Sequence, residues 1–172
     1  IVVPIYNEED NIVRLCKELN SYVKKSIVET QILFVNDGSN DNSEKLIFDQ
    51  CSSNGKFRVI SFKKNAGLSA AIKAGFDNTS TSLVGYIDAD LQTNPEDFNL
   101  LLNKIGKYDL VTGVRTKRKD SIIKNISSFI ANLIRRMFTD DNMDDTGCPL
   151  KIIKTSYAKK IPMFRGIHRF LP

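Results

Sequence analysis

The chain has 172 residues, 41% of them hydrophobic and 26% charged, enough apolar material for one sizeable core and too much for a disordered segment. Its net charge of +5 is unevenly placed: residues 1–114 hold 12 Lys and Arg against 15 Asp and Glu (−3), and residues 115–172 hold 13 against 5 (+8), so an acidic body carries a basic final third. No apolar run reaches the length of a spanning helix, and three widely spaced cysteines without a CxxC pair suggest neither a disulfide framework nor a zinc site and fit a reducing compartment.

Apolar runs of strand length alternate with segments of helical period, the pattern of βαβ units and a largely parallel sheet. The first strand is expected over Ile1–Ile5, followed by a helix whose apolar face is Ile12, Leu15, Cys16, Leu19 and Val23 and whose start carries the acids Glu8, Glu9 and Asp10. A second strand, Ile32–Asn36, precedes a helix over Ser43–Ser52; a third, Phe57–Phe62, precedes an Ala-rich helix over Leu68–Phe76. After a fourth strand, Leu83–Ile87, the run Asn94-Pro95-Glu96-Asp97 reads as a helix start, with Gly106 as its end, and a fifth strand is expected over Asp109–Val114. Beyond a basic loop, Ile122, Ile126, Phe129, Ile130, Leu133, Ile134 and Met137 share the face of a long helical segment. The expected architecture is a three-layer α/β/α sandwich in a single domain over residues 1–172. Because it opens inside a strand without a methionine and ends at Pro172 without a terminating element, the chain reads as the core of something longer.

Ligands of open α/β sheets sit at the carboxyl ends of the strands. Four such ends are rich in polar side chains: Pro4 to Glu8, Asn36 to Ser39, Asp88 to Gln92, and Gly113 to Arg115. Asp88 and Asp90, two apart in a chain leaving a strand, direct two carboxylates to one side, a hard-oxygen site suited to Mg²⁺ or Mn²⁺, with Gln92 continuing the alternation as a third donor. Asp37, with Gly38 behind it, reads equally as an Asx turn capping the next helix or as a carboxylate facing a nucleobase N–H or ribose hydroxyl. Neither GxGxxG nor a P-loop is present, and a single histidine, His168, removes most Ser-His, Cys-His and zinc hydrolase schemes.

In order along the chain, VVPIYNEEDNI, FVNDGSNDNS, NAGLSAAIKAGFD, YIDADLQTNPED, LVTGVR, and DDTGCPLKI followed by GIHRFLP resemble the inverting family 2 glycosyltransferases of GT-A fold, and within them the polyprenyl-phosphate and dolichyl-phosphate branch. The resemblance implies an inverting, metal-assisted transferase that moves a sugar from a UDP- or GDP-linked donor to a polyprenyl phosphate. Pro4, Tyr6, Glu8 and Asp37 would contact the nucleotide; Asp88 and Asp90 the metal and diphosphate, with Gln92 beside them; Arg115 the phosphates; Lys124 and Ser128 the acceptor phosphate; and Asp145 the acceptor side. Lys124 stands where Arg is more usual, and Asn36 where many relatives have Asp. An anionic phosphate acceptor makes a general base less necessary, so Asp145 is a secondary candidate.

On this reading the basic third, including Lys117, Arg118, Lys119 and Lys124, meets an anionic membrane surface at about 1 kcal/mol per cation. The expected location is the cytoplasmic face of a membrane, peripheral or anchored through segments outside this chain, with no nucleic-acid partner. Two other functions are carried alongside: transfer to a saccharide hydroxyl in cell-envelope polysaccharide synthesis, with Asp145 an essential base, and an inactive nucleotide- or membrane-binding module.

Overall fold

The computed structural model describes residues 1–114, 147–164 and 166. Among them, six strands form one sheet in the order β3-β2-β1-β4-β6-β5: β1 (Val2–Ile5), β2 (Ile32–Asn36), β3 (Phe57–Ser61), β4 (Leu83–Tyr86), β5 (Leu110–Thr112) and β6 (Lys151–Lys154). The helices are α1 (Glu9–Lys25), α2 (Ser43–Ser53), α3 (Leu68–Asp77), α4 (Phe98–Ile105) and the single turn α5 (Thr155–Ala158), with a 3₁₀ turn over Pro95–Asp97 leading into α4.

β1 and β2 are buried at every position, as strands covered on both faces must be. Alternate residues feed two cores. Val3, Ile5, Ile32 and Phe34 pack with Ile12, Leu15 and Leu19 of α1 and with Phe98 and Leu101 of α4. On the opposite face Val2, Leu33 and Val35 meet Ala71, Ile72 and Phe76 of α3 and Ala158 of α5. The expected three-layer α/β/α sandwich is therefore present. Helix α1 begins in its acidic turn, Glu9 and Asp10, and ends on Lys24 and Lys25, matching the helix dipole at both ends. Asn94 caps the 3₁₀ turn by accepting the Glu96 N–H at 3.0 Å.

The sheet departs from the expected one at its far edge. β5 is shorter than the predicted Asp109–Val114, and β6, which was not predicted, lies between β4 and β5 and pairs antiparallel with both. The four residues of β6, Lys-Ile-Ile-Lys, lack the apolar length that marked the other strands, yet Lys151 is almost fully buried, 2% exposed. The predicted helical segment over residues 122–137 lies outside the described residues.

One helix–sheet contact sets how closely α3 sits. A Cβ on Gly75 would come within 2.3 Å of Val2 Cγ1, and Val2 is wholly buried in the central strand. Gly75→Ala is expected to cost about 1–3 kcal/mol in urea unfolding, and Val2→Ala in the same chain should recover part of that loss rather than add to it.

Candidate functional site

The chain runs outward from β1 through β2 to β3 and then returns to place β4 on the other side of β1, so the strand order reverses between β1 and β4. The β1–β4 ladder is short there. Ile1 and Ile5 offer their carbonyls to β2, accepting from Leu33 N–H at 2.7 Å and Asp37 N–H at 2.8 Å, so Val2 and Pro4 direct their main-chain groups toward β4. Val2 uses that direction, accepting the Ile87 N–H at 3.3 Å, but Pro4 has no N–H to give. The β1–β4 register accordingly consists of Val2 opposite Tyr86, whereas β1 and β2 remain paired through Ile5 and Asn36. Tyr6, 44% exposed, follows β1, and the loop from Asp88 to Gln92 follows the neighbouring β4.

The loops after β1 and β2 are tied to each other by reciprocal hydrogen bonds. Asn7, in the left-handed region at φ 54°, accepts the Asn40 N–H at 2.8 Å and donates its own N–H to Ser39 Oγ at 3.1 Å. Glu8 N–H donates to Ser43 Oγ at 2.8 Å, Glu9 N–H to Asp41 at 3.2 Å, and Asn42 donates from backbone and side chain to Glu9 at 2.8 and 2.9 Å. Glu8 accepts from the Asn11 side chain at 2.7 Å, fixing its carboxylate over the first turn of α1. Burial alone would raise the Asp41 carboxyl, but hydrogen bonds from the Ser43 hydroxyl and from the Ser43 and Glu9 N–H groups prevail and hold it below its ordinary value of 3.8.

Asp37 is buried, 3% exposed, and reaches across to the loop before α3. Its carboxylate accepts the Ala66 N–H at 2.7 Å, the Gly67 N–H at 2.9 Å and the Asn65 side-chain amide at 3.0 Å, a negative group at the amino end of α3. The capping alternative placed Asp37 at the next helix, α2; the helix it serves is α3, because the two loops lie in contact. Gly38 shows how close they are: it has φ 65°, and a Cβ there would lie 2.5 Å from the Lys64 carbonyl carbon. Asn36, also buried, accepts the Ser39 N–H at 3.1 Å and donates to Ser61 at 3.3 Å. A cleft of about 460 Å³ opens beside this junction, with Ser39, Asn40 and Glu44 on one wall and Lys63, Lys64 and Asn65 on the other. A second hollow of about 400 Å³, around Ile1, Thr30 and Leu83, lies at the amino ends of the strands, away from these carboxylates.

At the end of β4, Asp88 is half-buried and receives a hydrogen bond from the Tyr86 hydroxyl to its Oδ1. Burial, followed by the charge of Asp88 and this hydrogen bond, holds the Tyr86 phenol protonated far above its ordinary range. Asp90 is exposed and accepts the Gln92 N–H at 3.1 Å, in a turn that holds the intervening Leu91 at φ 60°, a conformation uncommon for a branched side chain. Asp88 and Asp90 are two hard-oxygen donors on one loop, the donor type that suits a divalent cation retaining waters; among the described residues no three His, Cys, Asp or Glu side chains form a metal cage.

Pro4, Tyr6, Glu8, Asp37, Asp88, Asp90 and Gln92 thus lie along one edge of the sheet, on the carboxyl ends of β1, β2 and β4. Arg115, Lys124, Ser128 and Asp145, together with Lys117, Arg118, Lys119 and His168, lie outside the described residues. Sequence reasoning missed the loop from Asn65 to Gly67 as the partner of Asp37, and it missed Tyr86. Strand alternation carried a signal for the latter, since residues 86 and 88 share a side.

The family profile "Glycosyl transferase family 2" matches residues 1–161. The chain belongs to this family. Among family 2 relatives, it is 33% identical to the undecaprenyl-phosphate 4-deoxy-4-formamido-L-arabinose transferase of Pseudomonas fluorescens, over 100% of this chain and 51% of that protein. It is 30% identical to the dodecaprenyl-phosphate galacturonate synthase of Rhizobium johnstonii, over 100% of this chain and 52% of that one. The chain thus spans about half the length of these curated relatives. Its fold is the GT-A fold of solved glycosyltransferases such as the Mycobacterium tuberculosis glucosyl-3-phosphoglycerate synthase, crystallised with Mn²⁺, UDP and glucosyl-3-phosphoglycerate (TM-score 0.69, 16% identity, covering 90% of this chain and 56% of that one).

Two tests follow from the geometry of this family 2 site. Because Asp41 binds its proton less readily folded than unfolded, its contribution to stability is complete above about pH 4 and is lost as pH falls below that value; Asp41→Asn should flatten the acid limb of a plot of Tm against pH. Pro4→Val supplies the missing N–H toward β4, and hydrogen exchange should then show added protection at the carboxyl end of that strand pair, with stability held or raised.

Proposed function

We propose that this domain is the catalytic part of an inverting glycosyltransferase that moves a sugar from a nucleotide-diphosphate sugar to a polyprenyl phosphate. The observation that carries the reading is the placement, at the carboxyl ends of neighbouring strands β2, β1 and β4, of the Asp37 junction with its cleft, of Tyr6 and Glu8, and of the Asp88–Asp90 loop. Undecaprenyl phosphate and dodecaprenyl phosphate stand in the names of relatives matched along this entire chain, which favours a lipid phosphate as acceptor.

The nucleoside lies at the Asp37 end, between the loop from Asn7 to Asn40 and the loop from Lys63 to Gly67. Asp37 there acts chiefly by holding the latter loop, and Tyr6 offers an exposed ring for stacking. The diphosphate lies over Asp88 and Asp90, with Gln92 alongside. Asp88, Asp90 and Gln92 would hold Mg²⁺ or Mn²⁺, which would supply Lewis-acid neutralisation of leaving-group charge; Mn²⁺ in a structural neighbour of the same fold supports that choice. Arg115 adds positive charge at the same phosphates, and Lys124 and Ser128 receive the acceptor phosphate.

The acceptor phosphate oxygen attacks the anomeric carbon as the bond from that carbon to the diphosphate breaks, and the nucleoside diphosphate leaves with the electron pair. The nucleophile is already anionic near neutral pH, so no proton must be removed first, and one displacement inverts the centre. Asp145 becomes essential only if the acceptor is a hydroxyl. The basic final third serves the membrane side, as a peripheral contact on the cytoplasmic face.

The test is transfer of labelled sugar from a panel of UDP- and GDP-sugars to undecaprenyl phosphate or to an oligosaccharide, by full-length protein with and without Mn²⁺. Lipid-linked product is expected only with metal, and Asp90→Asn should lower turnover at least a hundredfold and remove metal-dependent nucleotide binding. Product on the oligosaccharide alone moves the reading to a saccharide acceptor, and no nucleotide binding at all returns it to a non-catalytic module.

A further inference from the structure

Tyr86 is the last residue of β4, 5% exposed, and belongs to the core on the α3 face with Val2, Val84, Ile72 and Phe76. Its neighbours in register are Val2 on β1 and Lys151 on β6, both almost fully buried, so the ring is flanked by packed side chains across both strand pairings. A phenol carries its hydroxyl on a rigid ring, and close packing on both sides restricts the rotamers open to it. Its hydroxyl is therefore a donor fixed by the core, and the acceptor is Asp88 Oδ1 on the loop leaving the same strand. Asp90, two residues on, is exposed and is restrained through the backbone N–H of Gln92 in its own turn. One carboxylate of the pair is thus anchored to the core and the other to the loop.

We propose that Tyr86 is a positioning residue, a core-mounted hydroxyl that fixes the Asp88 carboxylate in the orientation that receives the diphosphate and its cation. The inference rests on the reading of Asp88 given above and adds to it the group that sets its geometry. A carboxylate held in place before the ligand arrives binds more tightly than one that must be ordered on binding, because the loss of rotamer freedom has been met in folding. The effect belongs to the metal-dependent part of nucleotide binding and not to recognition of the base, which lies at the Asp37 end.

The experiment is a four-protein cycle in the full-length chain: wild type, Tyr86→Phe, Asp88→Asn and the double variant, each titrated calorimetrically with UDP and GDP with and without Mn²⁺. Phe keeps the ring in its core position, and thermal unfolding verifies that each protein is folded. Tyr86→Phe is expected to weaken Mn²⁺-dependent nucleotide binding threefold to tenfold and to leave metal-free binding unchanged. In the Asp88→Asn background it should add nothing further. Incorporation of 3-fluorotyrosine at position 86, which retains the donor, should restore wild-type affinity. The proposal is overturned if Tyr86→Phe stays within twofold of wild type in the Mn²⁺ arm, or if its penalty is equal without metal or in the Asp88→Asn background. If Asp88→Asn itself leaves the Mn²⁺ dependence intact, the assignment of Asp88 fails, and the role of Tyr86 with it; a silent Tyr86→Phe beside a strong Asp88→Asn removes only the inference.

Discussion

The absent N–H of Pro4 shapes the functional edge of this domain. β1 lies between two parallel neighbours, and a fully paired central strand would close the sheet up to its carboxyl end. With Pro4 on the side that faces β4, the ladder ends after Val2 on that side and continues to Ile5 on the other. The asymmetry parts β1 from β4 at the point where the strand order reverses, the place where an open α/β sheet offers room for a ligand. Proline in a buried central strand is ordinarily a cost; here the missing hydrogen bond is the opening itself.

Around that opening, loops from different parts of the chain are held by charge-assisted and side-chain hydrogen bonds rather than by apolar packing. Asp37 grips a loop about 30 residues away through two backbone donors and an amide. The Asp41, Ser43 and Glu9 network ties the β1 and β2 exits together. Such contacts fix loop positions while leaving polar surface facing solvent, and polar surface is what a nucleotide requires. Hydrogen bonds to an ionised acceptor are the stronger kind, and at Asp41 those from Ser43 and Glu9 lower the proton affinity of the carboxyl.

Much of this was legible in the sequence, for identifiable reasons. Strands buried on both faces are continuous apolar runs, as β1 and β2 are, and the expected bounds of β1 to β4 agree with the structure within a residue or so, the edge strand β3 through its apolar Phe57, Val59 and Ile60. The helix start at Asn94-Pro95 was legible because its chemistry is local. β6 was not: four residues flanked by lysines carry no strand signature, and the burial of Lys151 follows from its place between β4 and β5, a tertiary fact. Asp37 was ambiguous for the same reason, since its partners are distant in the chain and no local spacing reveals them. Tyr86 lay within reach of strand alternation, but a tyrosine in an apolar run reads as core, and it is core; its hydroxyl is what serves the site.

The division of charge along the chain bears on how such a site works. The first two-thirds, which form the crevice, carry a net −3, and a nucleotide diphosphate approaching Asp88 and Asp90 meets like charge. Repulsion of this kind falls only if cations intervene. Lys63 and Lys64 line the cleft by Asp37, at the nucleoside end of the proposed path, whereas the Asp88–Asp90 loop itself carries no basic side chain from Tyr86 to Thr93. On the proposed reading, charge neutralisation at that loop is then a requirement for diphosphate binding, and a cation held there would share it with Arg115 as well as aid leaving-group departure. That requirement gives a donor as rigid as Tyr86 its value: a divalent ion rewards carboxylates already aimed, and penalises those that must first be turned.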